Sequence, residues 1–239
     1  MEGKKKGHYV KQYFLNITFF HVFSLANMYA NAPLVSIITS VYKGDPYIKQ
    51  FMEDITRQTI FEQCELIMIN ANSPDNEERI IKEYIARYPN ITYLKLTYDP
   101  GIYAVWNLGI KMARATFITN ANLDDRLKFD CYQVHLNALI NNPSIDLVYS
   151  DFYITQQPNQ TFEKHSHSMC VHLSQFSLPA LQKKCLPNNH PMWRKSMHDR
   201  YGYFNATYKS AGDWEMWKRA AHQGSRFLKV DGAYGLFYY

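Results

Sequence analysis

From residue 34 onward, the sequence alternates short apolar runs rich in β-branched residues with longer segments of helical periodicity. The strand-like runs cover 34–42, 64–70, 91–97, 115–121 and 145–155, and the helical segments cover 46–58, 75–88, 103–113, 129–142 and 212–224. Continuous apolar runs are typical of strands buried on both faces, and strand–helix–strand repetition implies parallel pairing. The pattern therefore predicts an α/β fold, with a Rossmann-like, mostly parallel sheet flanked by helices and ligands at the carboxyl ends of its strands.

Three further features of the pattern carry predictions. Ser73 and Pro74 have the residue types of an N-cap and a first helical position, so we expect them to begin the helix over 75–88. Residues 156–190 lose periodicity and gather proline, glutamine, histidine and serine, which predicts a long loop. A last strand is expected in either 226–230 or 235–239.

Composition excludes some classes of function. At 239 residues and 46% hydrophobic, the chain is long enough to bury the core of one domain. Its net charge is +5, and the N-terminal tail contributes three of these charges, from four lysines against Glu2. The remaining body is too weakly basic for a nucleic-acid surface, so we expect no nucleic-acid partner. The four cysteines show no paired spacing and are expected to be free thiols.

Residues 1–32 form a predicted N-terminal extension, a basic tail followed by an apolar helix. The segment imitates a secretory signal, but Asn16, His21 and Asn27 interrupt its apolar stretch. Pro33 directly follows the cleavage-like residues 30–32, which is a poor context for cleavage. The same interruptions argue against a spanning helix. We expect a helix that packs on the body or makes a peripheral contact with a membrane surface, in a cytoplasmic protein; the alternative location is the inner membrane face.

Asp124 and Asp125 directly follow the strand-like run 115–121. Adjacent carboxylates repel each other, so a positive group is expected beside them, either Arg126 or a metal ion. A solvated turn is the alternative, because aspartate is common after strands. No glycine-rich phosphate loop follows the first strand, so a phosphate ligand would need a cation. Carboxylate oxygens favour Mg²⁺ or Mn²⁺.

Four segments occur in an order that resembles the family-two inverting glycosyltransferases of the GT-A fold. They are PLVSIITSVYKGDPYI, CELIMINANSPDNEE, DPGIYAVWNLGIKMARATFITNANLDD and SAGDWEMWKRA, and the resemblance covers roughly residues 33–223. It implies a single GT-A domain over 33–239, with a nucleotide-binding half over 33–125 and an acceptor-side half over 126–239. It also implies a nucleotide-diphosphate sugar as donor, a UDP-sugar above others, and Mn²⁺ or Mg²⁺ as cofactor.

The resemblance assigns roles position by position. Asp124 takes the place of the metal ligand, and Asp213, at the start of a late helix, takes that of the catalytic base. The acceptor side is assigned to His190, Trp193 and Arg194. Residues assigned to the nucleotide sugar are Thr39, Val41, Tyr42, Asp45, Asn70, Asn72, Asn107, Asn122, Leu123 and Asp125. The sequence departs from the family pattern where Ala71 and Asn122 replace acidic residues.

The chemistry suits these residue types. A displacement at an anomeric carbon needs a carboxylate to accept the proton of the incoming hydroxyl, and a helix N-terminus favours the ionised form of Asp213. We therefore expect an inverting glycosyltransferase that builds a surface or capsular glycan on a glycan or lipid-linked acceptor. A catalytically weak relative that binds nucleotide sugar or glycan is the alternative, because of Ala71 and Asn122. Family members commonly continue beyond the point where this sequence ends, so the acceptor side is expected to be incomplete or supplied by a partner.

Overall fold

The computed structural model describes residues 32–166 and 168–239. Its first part is a regular alternation of strands and helices. The elements are β1 (Val35–Val41), α1 (Ile48–Thr56), β2 (Cys64–Asn70), α2 (Glu77–Ile85), β3 (Ile91–Lys95), α3 (Ile102–Met112) and β4 (Phe117–Asn120), with a short 3-10 turn at Phe61–Gln63 before β2. Each of these strands and helices falls on a run that the sequence pattern predicts.

The second part is less regular, and several of its strands are only two or three residues long. The elements are β5 (Arg126–Leu127), α4 (Cys131–Asn141), β6 (Leu147–Thr155), β7 (Met169–Val171), α5 (Leu178–Lys183), β8 (Met192–Arg194), α6 (Met197–Tyr201), α7 (Gly212–His222) and β9 (Phe227–Tyr238).

In the described residues, all nine strands join one sheet in the order β3-β2-β1-β4-β8-β6-β9-β5, with β7 paired to the remaining length of β6. The pairs among β1, β2, β3 and β4 are parallel. Beyond β4 the pairing is mixed, because β8 runs antiparallel to both β4 and β6, while β6 and β9 are parallel. The predicted α/β architecture is confirmed, with wholly parallel pairing in the first half and mixed pairing in the second.

Two apolar cores cover the sheet, one on each side. Alternate residues of β1 divide between them: Val35 and Ile37 belong to one core and Ile38 to the other. We call the side that packs against α1, α2 and α4 the first face, and the side that packs against α3, α5, α6 and α7 the second face. Both faces of the central strands are covered, which explains their continuous apolar sequence.

The predicted start of the second helix is wrong. α2 begins at Glu77, and Asn76 precedes it without a side-chain cap. Ser73 does not cap the helix; its hydroxyl group accepts a hydrogen bond from the amide of Lys43 and donates one to Glu77. The side chain instead joins the loop after β2 to the loop after β1.

The predictions for the last third need two corrections. Residues 156–190 are not loop throughout, since they contain β7 and α5, the latter capped by Ser177. The two alternatives for the last strand are parts of a single strand, β9, which spans both of them with shifts of register opposite β6.

The predicted N-terminal extension lies almost entirely outside the described residues, so it stays a prediction. Within the part of the chain that the structure describes, the helices are too short or too polar to cross a bilayer.

Candidate functional site

The parallel strands end at one edge of the sheet, and several of the predicted site residues lie in the loops that follow these ends. The chain leaves β2 and β4 beside β1: the amide of Ala71 donates to the carbonyl of Val41, and that of Ala121 to the carbonyl of Ile38, each at 3.0 Å. In an open α/β sheet this carboxyl edge is where ligands bind.

Residues 122–125, which we call the acid loop, follow β4 at this edge. Asp125 is buried, with 4% of its surface exposed, and its two oxygens are both occupied. The side-chain amide of Asn122 donates to Oδ2 at 2.9 Å, and the backbone amide of Tyr238 in β9 donates to Oδ1 at 3.3 Å. Burial, together with the charge of Asp124, raises the pKa of Asp125 to about 8. Asp125 is thus a part of the framework of the loop.

Asp124 differs from its neighbour because its side chain is only partly buried. No other residue in the described ranges donates a hydrogen bond to its carboxylate. Burial raises the pKa of Asp124, and its own backbone amide and the nearby Arg126 act in the opposite direction. A carboxylate that is partly desolvated and receives no hydrogen bond from another described residue is suited to an external cation.

Arg126 is the positive group that the adjacent aspartates require, but it does not pair with them directly. Its side chain is 2% exposed, and its Nη1 donates to the carbonyl oxygens of Leu123 at 2.8 Å and Asp125 at 2.6 Å. Nη2 donates to the side chain of Asn159 at 3.0 Å. The guanidinium group holds the backbone of the acid loop in place and leaves the Asp124 carboxylate available to a ligand.

The donor chemistry of the acid loop fits a metal ion that is shared with a substrate. Among residues 32–166 and 168–239, no group of three or more metal-ligating side chains lies together. Mg²⁺ and Mn²⁺ are commonly held by one or two carboxylates, with the other ligands supplied by substrate phosphates and water. Asp124 supplies one such oxygen ligand, whereas Asp125 is already engaged by two donors.

The residues predicted to contact the nucleotide fall into two groups. Tyr42 and Asp45 are exposed in the loop after β1, and a ligand can reach them. Thr39 and Val41 are fully buried in β1, so their side chains do not reach the surface in this structure.

The asparagines after β2 shape the chain at the same edge. The Asn70 side-chain oxygen accepts a hydrogen bond from the amide of Ser73 at 2.7 Å, so Asn70 holds its own turn. Asn72 is exposed and has a φ of +56°, which asparagine tolerates better than most residues.

Gly44 brings the loop after β1 against the acid loop. Its amide donates to Glu77, which is completely buried, at 2.6 Å. A Cβ atom at this position would lie 2.3 Å from the side chain of Leu123, so only glycine allows this approach. Leu123 therefore packs inside the site, with 7% of its surface exposed, and supports the loop on either side of it.

Asp213 lies in the first turn of α7 and is partly exposed. Its Oδ1 accepts a hydrogen bond from the hydroxyl group of Tyr103 at 3.2 Å. Tyr103 is in the first turn of α3, the helix that follows the carboxyl end of β3. This contact places Asp213 on the same edge of the sheet as the acid loop, as the predicted base requires.

The remaining predicted site residues have structural contacts. Asn107 exchanges two hydrogen bonds with the backbone of Phe204, at 2.8 and 3.0 Å. His190 is buried beside Asn122 and Asp125, in a cavity of about 10 Å³, and burial lowers its pKa to about 3.

Trp193 and Arg194, both in β8, are not brought to the group formed by the acid loop and Asp213. Trp193 is 1% exposed in the core of the second face. Arg194 donates to the carbonyl oxygens of Leu139 and Ile145, at 2.7 and 2.8 Å, and so joins β8 to the end of α4. In this structure Trp193 therefore packs in the core, and Arg194 links two elements through hydrogen bonds.

The sequence comparison decides the family. Residues 36–213 match Glycosyl transferase family 2. The chain belongs to this family. The Minor teichoic acid biosynthesis protein GgaB of Bacillus subtilis is 36% identical over 116 residues, which are 47% of this chain and 13% of GgaB. The present chain thus spans a small part of that relative.

Solved structures share the fold at low sequence identity. S. aureus TarS 1–349 in complex with UDP-GlcNAc has a TM-score of 0.69 at 18% identity, over 85% of this chain and 58% of that chain. The mannosyltransferase PcManGT from Pyrobaculum calidifontis, in complex with GDP-Man and Mn²⁺, has a TM-score of 0.65 at 14% identity, over 86% of this chain and 56% of that chain. Together with the family, they confirm a GT-A glycosyltransferase fold.

The sequence does not indicate the roles that two residues, Arg126 and Tyr103, have in the site. Arg126 was noted as a neighbour of the aspartates, but its donation to backbone carbonyls has no sequence signal. Tyr103 lies in an ordinary amphipathic helix pattern, and its partner Asp213 is 110 positions away. Tyr103 stands at a predicted helix start, two residues after Gly101, and this position is equally compatible with packing in the core.

Proposed function

We propose that this chain transfers a sugar from a nucleotide-diphosphate donor, a UDP-sugar above others, to a hydroxyl group of a glycan or lipid-linked acceptor, with inversion at the anomeric carbon. The observation that carries the proposal is the presence of two differently held carboxylates at one edge of the sheet. Asp124 is partly buried and receives no hydrogen bond from another residue in the described ranges, and Asp213 is held at the start of a helix.

In the proposed mechanism, Asp213 accepts the proton of the acceptor hydroxyl as its oxygen attacks the anomeric carbon. The new bond joins that oxygen to the sugar, and the bond between the sugar and the diphosphate breaks on the opposite side. A divalent cation at Asp124 would neutralise charge on the departing diphosphate. The exposed Tyr42 and Asp45 lie where the nucleotide would enter, and the buried Asp125 and Arg126 keep the acid loop fixed while it does.

The proposed biological role is the synthesis of a surface polysaccharide. Support comes from the relative named for teichoic acid biosynthesis and from the nucleotide sugars bound in the related structures. The assignment of His190 to the acceptor side of the site is also a proposal.

The experiment that tests this function measures nucleotide release from a panel of UDP-, GDP- and TDP-sugars with Mn²⁺ present. We expect release from one class of donor. Calorimetric titration of UDP should show tighter binding with Mn²⁺, and Asp124→Ala should remove this gain while leaving the unfolding temperature unchanged, because the side chain makes no hydrogen bond to another described residue.

Two outcomes would contradict parts of the proposal. An unaltered Mn²⁺ response in Asp124→Ala would show that the metal is not held there. Binding of a nucleotide sugar without release, in the presence of candidate acceptors, would favour the catalytically weak relative.

A further inference from the structure

The hydroxyl group of Tyr103 makes two hydrogen bonds to the start of another helix. It accepts one from the backbone amide of Gly212 at 2.8 Å and donates one to Oδ1 of Asp213 at 3.2 Å. Tyr103 is 5% exposed, so neither bond competes with much solvent. One side chain on α3 therefore contacts both the first amide of α7 and the carboxylate proposed as base.

The start of α7 depends on this contact because the helix lacks a cap of its own. Ala211 precedes it with a φ of +58° and has no side chain that could accept a hydrogen bond from the first turn. The Tyr103 hydroxyl group takes that role from a different helix. A Cβ atom on Gly212 would lie 2.7 Å from the Tyr103 ring, so glycine is required for the ring to come this close.

The ring of Tyr103 is itself held from several sides. It meets Trp106 edge-on, with 5.4 Å between ring centroids, and stacks on Phe204 at 6.0 Å. The backbone of Phe204 is tied in turn by its two hydrogen bonds to Asn107. The position of the hydroxyl group is therefore set by a packed aromatic cluster before any ligand binds.

The second oxygen of Asp213 also faces a neutral donor. The thiol group of Cys185 lies 3.8 Å from Oδ2. Burial, with the nearby carboxylate, raises the pKa of Tyr103 and that of Cys185 to about 12 each. Both groups keep their protons at neutral pH and act towards Asp213 as donors.

We infer that Tyr103 is a positioning residue for the base: its hydroxyl group fixes the orientation of the Asp213 carboxylate. This inference rests on the proposed function, in which Asp213 accepts the proton of the acceptor hydroxyl. A fixed orientation spares the reaction the cost of arranging the carboxylate. The Asn107 contact then serves the base indirectly, through Phe204 and the Tyr103 ring.

The direct test combines kinetics with carbon-13 NMR spectroscopy of the aspartate carboxyl groups at one fixed pH, with the Asp213 signal assigned by its loss in Asp213→Asn. Tyr103→Phe removes the hydroxyl group and keeps the ring. We expect the carboxyl signal of Asp213 to change its chemical shift, because the carboxylate loses a hydrogen bond. Nucleotide release from the best sugar donor of the panel should fall about tenfold in kcat, with KM for the donor unchanged.

Tyr149→Phe is the matched control, because Tyr149 is also buried and donates one hydrogen bond, to the carbonyl of Ser174 at 2.7 Å. It should leave the Asp213 carboxyl signal and kcat unchanged. Gly212→Ala is a second variant that displaces the ring, and it should shift the Asp213 signal and lower kcat as Tyr103→Phe does. In an Asp213→Asn background, Tyr103→Phe should cause no further loss of turnover.

An unchanged Asp213 carboxyl signal and an unchanged kcat in both Tyr103→Phe and Gly212→Ala, with thermal unfolding still cooperative, would overturn the inference. A further loss of turnover in the Asp213→Asn background would do the same, since it would show a role that does not pass through the carboxylate. If Asp213→Asn itself retains transfer, the assigned base is wrong and the proposed mechanism fails at an earlier step. The two failures are therefore distinguishable.

Discussion

The two faces of the sheet hold the two proposed carboxylates by different means. On the first face, the acid loop lies among buried ionisable groups: Asp54, Arg126 and the loop's own Asp125 are each at most 5% exposed. On the second face, Asp213 lies in the first turn of α7. This helix packs into an aromatic cluster that includes Trp193, Trp217 and Phe204. The difference suggests that changes near the acid loop act chiefly on stability, and changes near Asp213 chiefly on turnover.

The largest expected effect is on the first face. Arg126→Met removes a buried guanidinium group that serves two backbone carbonyls and faces several carboxylates. Loss of one partner from a buried charge network costs about 3–5 kcal/mol. Chemical denaturation should show a loss of unfolding free energy of this size. The exposed pair of Arg79 with Glu83 supplies the control, and Arg79→Met should cost less than about 1 kcal/mol. Equal losses of unfolding free energy in Arg126→Met and Arg79→Met would contradict the stabilising role of the buried groups on the first face.

The second-largest expected effect is a loss of turnover, and it concerns the second face. Asp213→Asn keeps the size of the side chain but removes most of its basicity, so transfer should fall about a hundredfold or more. The unfolding temperature should change little, since Asp213 is partly exposed. Glu215→Gln is the control, because that carboxylate is paired with Arg219 at 2.8 Å, and it should be mild by comparison. Near-normal transfer by Asp213→Asn would place the base elsewhere.

The smallest effect concerns acid stability, which both faces share. Burial lowers the pKa of His135 on the first face and that of His198 on the second to about 4 each, against 6.5 in an unfolded chain. Below pH 6.5 the unfolded state binds more protons than the folded state, so stability falls as the pH drops from 6.5 towards 4. Each histidine contributes up to about 1.4 kcal/mol per pH unit in this window.

The histidine contribution can be separated by substitution. His198 accepts a hydrogen bond from the indole of Trp193 at 2.9 Å on the nitrogen that acid would protonate. His198→Gln should therefore flatten the decline in unfolding free energy between pH 6.5 and 4.5, whereas exposed His222→Gln should not. Asp54, whose pKa burial raises to about 6, acts in the opposite direction and makes the observed slope smaller than the histidines alone would give. An identical slope in all three proteins would show that His198 is not buried in its neutral form.

The first half of the fold was predictable because its strands are long, apolar and covered on both faces. β2 is buried along its whole length and β1 everywhere except at Ser40, which leaves the continuous apolar pattern typical of a strand covered on both faces. β5, β7 and β8 have two or three residues each, too few for a periodic signal. Their places are set by pairing with β9, β6 and β4, which are distant in sequence.

The sequence could propose site residues only where residue type and order carry a signal. Asp124 and Asp213 were proposed from motifs and stay predictions, and both lie at one edge of the sheet. Trp193 was assigned to the acceptor side from its place in the sequence, and it packs in the core instead. The roles of Tyr103 and Arg126 depend on a distant helix start and on backbone carbonyls, neither of which leaves a mark in a local pattern.

The hydrogen bond from Tyr238 to Asp125 has a consequence for how the protein is made. The two residues are 113 positions apart, and β9 also pairs with β5 directly after the acid loop. At a synthesis rate of about 5–20 residues per second, the ribosome needs several seconds to add the chain between them. During that interval a nascent chain with its first four strands paired would still expose the acid loop without its final support. This edge of the sheet would gain that support only when β9 has been synthesised.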